Sequence, residues 1–186
     1  MKRLEALETI ADGLGDSEPV VTTLGIISRE FYEIDGSERT FPMAGSMGLA
    51  SSIGLGVALN KPDTRVVVID GDGSLLLNLG SIVSVGHHSP DNMTHIVLDN
   101  GAYASCSREP TLSGTAQFDR MATLVGYEHV HSAKTREELA AAVAREPEDG
   151  PQLIHARIET GGQRHPARLL DLPYFKRAFT EYLASI

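Results

Sequence analysis

The sequence predicts an α/β fold: a doubly wound, mainly parallel sheet with helices on both faces. Three observations carry that expectation. The runs Val66-Val67-Val68-Ile69 and Ile96-Val97-Leu98 are apolar and largely β-branched without alternation, the pattern of strands buried on both faces of a parallel sheet. Such runs alternate along the chain with stretches of helical periodicity. Polar, glycine-rich turns (Gly71-Asp72-Gly73 and Asn100-Gly101) directly follow the two clearest runs, where open parallel sheets place their ligands.

Taken in order, residues Lys2 to Asp12 read as an amphipathic helix, with Leu4, Leu7 and Ile10 on one face. Pro19 to Thr23 is a first strand, and Ser28 is placed to cap a short helix carrying Arg29 and Glu30. Leu49 to Leu59 is a helix of small and apolar residues, suited to close packing. Arg65 to Ile69 is a strand, Ser74 to Ser84 the helix after it, and Thr94 to Leu98 the next strand. Phe118 to Val125 reads as helix, Glu128 to Val130 as a short strand and Thr135 to Arg145 as a capped helix. Pro151 to Arg157 gives a further strand and Tyr174 to Ser185 a closing helix. The segments 101–115 and 159–173, rich in Gly, Pro, Ser or charge, read as loops. The first follows Asn100 and is therefore a candidate substrate loop.

With 186 residues the chain suits a single domain, 1–186, able to bury a substantial core. Its net charge of −9, with no cluster of Lys and Arg, argues against nucleic acid as a partner. Anionic ligands must be met by backbone N–H groups, a cation and a few Arg side chains. The one cysteine, Cys106, excludes an internal disulfide and an iron–sulfur cluster built from this chain alone. No run is long enough to cross a membrane, and the N-terminal acids do not suit a secretory signal. The expectation is a soluble, cytoplasmic protein.

Asp72 and Asn100 are the strongest candidates for chemistry. Two hard oxygen donors at strand ends can hold a small divalent cation, and the adjacent glycines admit a diphosphate to the backbone. From the letters alone, Asp72 also suits a helix N-cap, and Asn100-Gly101 a tight turn. The spacing adds information: Gly71-Asp72-Gly73 is followed by 25 residues and then Asp99-Asn100. This resembles the diphosphate-binding half of thiamine-diphosphate enzymes, with Asp99 in place of the first Asn of their Asn-Asn pair. The stretch Gly45-Ser46-Met47-Gly48 is similar to the family's element for the pyrimidine end of the cofactor. Ser28-Arg29-Glu30-Phe31, Gly45 to Ile53 and Asn100-Gly101-Ala102 resemble the sulfopyruvate and phosphonopyruvate decarboxylases most closely, from about Val20 to about Arg157.

The resemblance implies a thiamine-diphosphate-binding fold and a set of roles. Asp72, Asn100 and the Ala102 carbonyl would hold Mg²⁺. Gly25, Ser28, Gly71, Gly73 and Ser74 would meet the diphosphate. Gly45, Ser46 and Met47 would carry the pyrimidine, with Met47 bending the cofactor and the Gly45 carbonyl accepting a hydrogen bond from its amino group. By composition alone, Met47 would be ordinary core. Ser105 and Arg108, in the loop after Asn100, are the substrate candidates, with solvated loop charge an equal alternative for Arg108. His87 and His88 lie at the far end of the helix after Asp72 and read as surface or subunit contact. Cys106 has no recognisable base beside it and is not expected to be a nucleophile.

Family members also need a Glu against the pyrimidine, carried by a separate pyrimidine-binding domain with no counterpart in this sequence. The chain is therefore expected to be completed by an α-type partner subunit in a hetero-oligomer, as the β subunit of a sulfopyruvate decarboxylase, acting on a small anionic 2-oxoacid. Phosphonopyruvate decarboxylation, an acetolactate-synthase-like carboligase and a non-catalytic cofactor-binding subunit are the alternatives. A dinucleotide site is disfavoured, because Gly25 to Ser28 lacks the glycine fingerprint.

Overall fold

The computed structural model describes residues 1–106, 108–160 and 166–186. In chain order the elements are α1 (Arg3–Asp12), β1 (Val20–Thr22), α2 (Ile26–Asp35), β2 (Thr40–Pro42), α3 (Ala50–Asn60), β3 (Val66–Gly71), α4 (Asp72–Leu77), α5 (Gly80–His88), β4 (Met93–Asp99), α6 (Ser113–Ala116), α7 (Phe118–Val125), β5 (His129–Ala133), α8 (Arg136–Val143), β6 (Gln152–Arg157) and α9 (Leu172–Ser185). Among the described residues the strands form one sheet in the order β2-β1-β3-β4-β6-β5, and every pairing in it is parallel. The sheet is thus all-parallel where a mainly parallel one was expected.

Every residue of β3 and β4 is buried. Alternate side chains feed two cores, as the two-residue period of a strand requires. Val66, Val68, Met93, Val97 and Leu153 pack under α3, α5, α7 and α9 through Leu55, Ile82, Val85, Phe118 and Phe179. Val67, Ile69, Ile96, Leu98 and Ile154 pack against Leu7 and Ile10 of α1, Phe31 of α2 and Leu139 of α8. Helices therefore cover both faces. Helix α3 lies unusually close to the sheet because of Gly54, where an added Cβ would come within 2.1 Å of Val68.

Three local readings change. The helix expected over Ser74–Ser84 is two helices, α4 and α5, broken where Asn78 leaves helical geometry (φ −143°, ψ 58°). The Asn78 side-chain amide donates to the Gly48 carbonyl at 3.1 Å, a tertiary bond that propensity cannot foresee. Ser28 is not a cap: α2 already begins after Gly25, whose φ of +91° makes the turn, and the Ser28 hydroxyl instead accepts a 3.1 Å bond from Thr22 Oγ1. The edge strand β2 and the single turn α6 were not anticipated, β2 being three residues long and ending in Pro42. The loop expected over 159–173 falls partly on residues 161–165, outside the described residues, and its last two residues begin α9.

Strand order reverses at β1 and β3, since β2 lies outside β1 and the rest of the sheet extends from β3. The crevice outside their C-terminal ends is the switch point where such sheets bind ligands.

Candidate functional site

That crevice is a half-open cleft. The end of β1 contributes Thr23 and Leu24, the turn after β3 contributes Gly71 to Ser74, and the segment after β4 contributes Asn100 and Ala102 to Cys106. Met47 reaches the cleft from the loop before α3. Asp72 thus lines the same cleft as Asn100 and Ala102, which follow it by 28 and 30 residues.

Asp72 is the first residue of α4 and only 3% exposed. Burial raises its carboxyl pKa above the ordinary value, the neighbouring Asp99 charge adds to the rise, and a hydrogen bond from the Thr111 hydroxyl opposes it. A carboxylate in that position is electrostatically unsatisfied, and a cation would relieve it. Asn100 Oδ1 accepts from the Ala102 N–H at 2.9 Å, which turns the chain so that both residues face the cleft. The Ala102 carbonyl accepts from Ala104 N–H at 2.9 Å. Carboxylate, amide and carbonyl form an all-oxygen donor set, the chemistry a small hard cation selects. Among the described residues no group of three or more His, Cys, Asp and Glu side chains converges, so a thiolate or imidazole centre has no candidate there.

Ser74 ties three segments together. Its Oγ accepts from Thr23 Oγ1 at 2.8 Å and from Gly48 N–H at 3.1 Å, joining the ends of β1 and β3 to the 45–48 loop. Gly45, Ser46 and Met47 themselves are exposed, and Ser46 holds a left-handed φ of 57°. Of the three, Met47 lines the cleft; it is not core.

Several expected residues fall elsewhere. Ser28 is buried beneath β1 and does not line the cleft; Gly25 and Ser28 line a neighbouring one. Ser105 does line the main cleft, its Oγ 3.0 Å from where a Cβ on Gly25 would stand. Arg108 is exposed and outside it, held in a left-handed backbone (φ 62°) with its N–H on the Tyr103 carbonyl. The structure therefore separates the two substrate candidates. Cys106 lies exposed at the cleft. His87 and His88 end α5 on the surface, at the opposite end of the sheet from the strand tips.

The sequence reading missed Thr111, Tyr103 and the support beneath Asp99. Tyr103 closes over Gly73, where a Cβ would come within 2.5 Å of its ring. Asp99 is buried, accepts from His155 Nε2 at 2.8 Å and from Gly101 N–H at 3.0 Å, and pairs with Arg157 at 3.1 Å. Burial alone would raise its pKa, but His155, Ser113 and Arg157 outweigh burial and hold it below the ordinary value. The replacement of the family's Asn by Asp99 is thereby matched with a cationic partner, Arg157, and a hydrogen bond from His155. Only the identity of residue 99 was visible beforehand; His155 and Arg157 lie 56 and 58 residues away.

The comparisons decide what this cleft belongs to. The family model for the C-terminal TPP-binding domain of thiamine pyrophosphate enzymes matches residues 21–156. The chain belongs to the thiamine pyrophosphate enzymes. It is 43% identical over 160 residues to a phosphonopyruvate decarboxylase of Streptomyces viridochromogenes, covering 86% of this chain and 40% of that protein. The chain thus spans about two fifths of the length of that relative. It is 40% identical over 172 residues to a sulfopyruvate decarboxylase subunit beta of Methanothermobacter thermautotrophicus, covering 92% of this chain and 89% of that one. A solved thiamine diphosphate-dependent 4-hydroxybenzoylformate decarboxylase of Rhodococcus jostii shares the fold, with a TM-score of 0.67 at 17% identity over 87% of this chain and 33% of that one. Among the described residues of this TPP-binding domain, no helix is long and apolar enough to cross a membrane.

Proposed function

We propose that this chain, residues 1–186 as one diphosphate-binding domain, is the β subunit of a sulfopyruvate decarboxylase. It would convert 3-sulfopyruvate to sulfoacetaldehyde and CO₂ in a cytoplasmic hetero-oligomer, with thiamine diphosphate and Mg²⁺. The observation that carries the reading is the oxygen donor set of Asp72, Asn100 and Ala102 in one cleft with Met47. Likeness to a sulfopyruvate decarboxylase subunit beta across 92% of the chain supports the substrate class.

The donor set fits Mg²⁺, which takes oxygen ligands and leaves positions for diphosphate oxygens and water. Asp72 supplies the anionic ligand, Asn100 the neutral side-chain oxygen and Ala102 a backbone oxygen. Thr111 orients the Asp72 carboxylate, and Asp99 orients Asn100 through the Gly101 N–H. Gly71, Gly73 and Ser74 line the cleft at the start of α4 and would meet the diphosphate there. Met47 and the Gly45 carbonyl, exposed on this chain, face the pyrimidine ring together with a Glu supplied by the partner subunit. When bound, the cofactor provides the electron sink for the carbon that loses CO₂. Leu24, Ile26, Ile27 and Ile158 make much of the wall apolar. An apolar wall favours departure of a charged carboxylate as neutral CO₂.

Phosphonopyruvate decarboxylation is the second reading, favoured by 43% identity to such an enzyme. Aldehyde release from 3-sulfopyruvate and from phosphonopyruvate, by this chain alone and co-expressed with a pyrimidine-binding subunit, tests both. Partner-dependent sulfoacetaldehyde is the expected result. Absence of aldehyde from either compound would overturn the decarboxylase reading in favour of a carboligase or a non-catalytic subunit.

A further inference from the structure

A second cleft opens beside the first. Leu24 lines both, and Gly25 forms part of the second, so the two meet around the end of β1. The remaining wall comes from Met43 and Ala44, which lead into the Gly45–Met47 loop, and from the segment entering α9. Two arginines are among its lining residues, the half-buried Arg29 of α2 and the exposed Arg168. No carboxylate is among its lining residues.

Two other arginines near the strand ends, Arg3 and Arg157, are already committed. Arg3 lies at the cofactor cleft but makes two bonds, of 2.7 and 3.0 Å, to the buried Glu30. Arg157 pairs with Asp99. Arg29 and Arg168 make no ion pair among the described residues, in a chain whose net charge is −9. Two like charges sharing one cleft repel unless an anion joins them.

We propose that Arg29 and Arg168 bind the tetrahedral oxyanion carried on C3 of the 2-oxoacid substrate and so determine its specificity. The inference rests on the decarboxylase reading and names the residues that select the substrate class. A guanidinium is permanently charged and presents paired donors that match sulfonate or phosphonate oxygens. The division of labour follows from the chemistry. The reacting carboxylate is best left in the apolar part of the first cleft, because a cation paired to it would stabilise the charge that must be lost. The head group keeps its charge throughout the reaction, so arginines serve it without that cost. Two clefts meeting at Leu24, one largely apolar and one cationic, provide that separation.

The test uses the chain co-purified with its pyrimidine-binding subunit and loaded with thiamine diphosphate and Mg²⁺. Arg29→Met and Arg168→Met remove the charge while keeping an apolar stem, and Arg29→Lys keeps the charge without the fork. Calorimetry follows 3-sulfopropionate, which keeps both anionic groups but has no ketone to react. Turnover is measured with 3-sulfopyruvate, phosphonopyruvate and pyruvate. Each Met variant is expected to weaken 3-sulfopropionate on the order of 100-fold. KM for both head-group substrates rises, while pyruvate turnover and thiamine diphosphate affinity stay unchanged and Arg29→Lys recovers part of the loss. The ratio of the two head-group substrates in the unaltered assembly identifies the source of the oxyanion. Unchanged 3-sulfopropionate affinity, or an equal loss with pyruvate, would overturn the proposal. Arginine-dependent 3-sulfopropionate binding in an assembly that decarboxylates nothing would uphold the cleft and reject the decarboxylase reading.

Discussion

The two ends of the cofactor cleft, both rich in small residues, are held in opposite ways. At the β3 and β4 end, Asp72 is 3% exposed and Asp99 1%, and each is tied by side chains from distant parts of the chain. At the other end, Gly45, Ser46, Met47 and Leu49 stand in solvent, and the loop is fastened chiefly through Gly48, to Ser74 and Asn78. One end is finished within the chain. The other presents apolar side chains, Met47 and Leu49 at 37% and 41% exposure, that a monomer has no reason to expose together. On the proposed reading, the difference separates the half of the site that this chain would supply from the half that a partner would complete.

If the finished end is the metal end, losing its anionic ligand gives the largest effect. Asp72→Ala is expected to weaken Mg²⁺-dependent thiamine diphosphate binding by more than about 100-fold, because truncating one partner of a desolvated charge pair costs on the order of 3 kcal/mol. Calorimetry reads the affinity and circular dichroism the fold, which should persist. Unchanged affinity would remove the metal assignment altogether.

The exposed end predicts the reverse pattern, a substitution silent in the chain and severe in the assembly. Leu49→Asp should shift the stability of the isolated chain by no more than about 0.5 kcal/mol, as exposed positions usually do. Co-purification with the pyrimidine-binding subunit should nevertheless be lost. Retained assembly would mean that the Gly45–Leu49 loop faces solvent in the working protein.

Thr111→Val refines the first end further. It removes the hydroxyl on Asp72 with little change of volume, and outer-shell changes of this kind weaken metal binding by roughly 10-fold. A titration of Mn²⁺ by electron spin resonance would read it, with no change expected if Thr111 merely packs.

The sheet, its covering helices and the pairing of Asp72 with Asn100 were legible because each rests on local pattern. Buried strands declare themselves by uninterrupted β-branched runs, and strand order then brings their ends together. What was not legible depends on partners remote in sequence. Asn78 breaks a helix because Gly48 lies above it, and Ser28 is drawn under β1 by Thr22. Arg29 was placed on a helix and within a motif but given no role; its cleft requires Arg168, 139 residues further on, and no spacing rule connects the two. Arg108, the arginine that sequence position favoured, lies outside the cleft, in a loop whose backbone folds back through bonds to Tyr103 and Gly101.

The smallest expected effect asks whether the exposed end has an anchor of its own. Asp35, closing α2, accepts from Arg39 at 2.6 and 3.0 Å, from Thr40 Oγ1 at 2.6 Å and from Ser37 Oγ at 2.5 Å. Thr40 opens β2, the strand that leads into the Gly45 loop. Burial would raise the Asp35 pKa, but the bonds from Arg39, Ser37 and Thr40 prevail and hold it below its ordinary 3.8. A depressed folded-state value means the ion stabilises the fold above the unfolded pKa, and that stability drains away as pH falls through the folded one. Asp35→Asn should therefore cost about 1 kcal/mol at neutral pH, a Tm decrease of a few degrees in a chain of this size. The difference from the unaltered chain should narrow as the pH drops below 3.8, where the native carboxylate also gains its proton. A gap that stays constant down to acid would show that the Asp35 cluster acts through packing and not through charge. A gap that closes, together with slower hydrogen exchange in β2 than in the loop after it, would locate the end of the self-sufficient structure between Pro42 and Gly45.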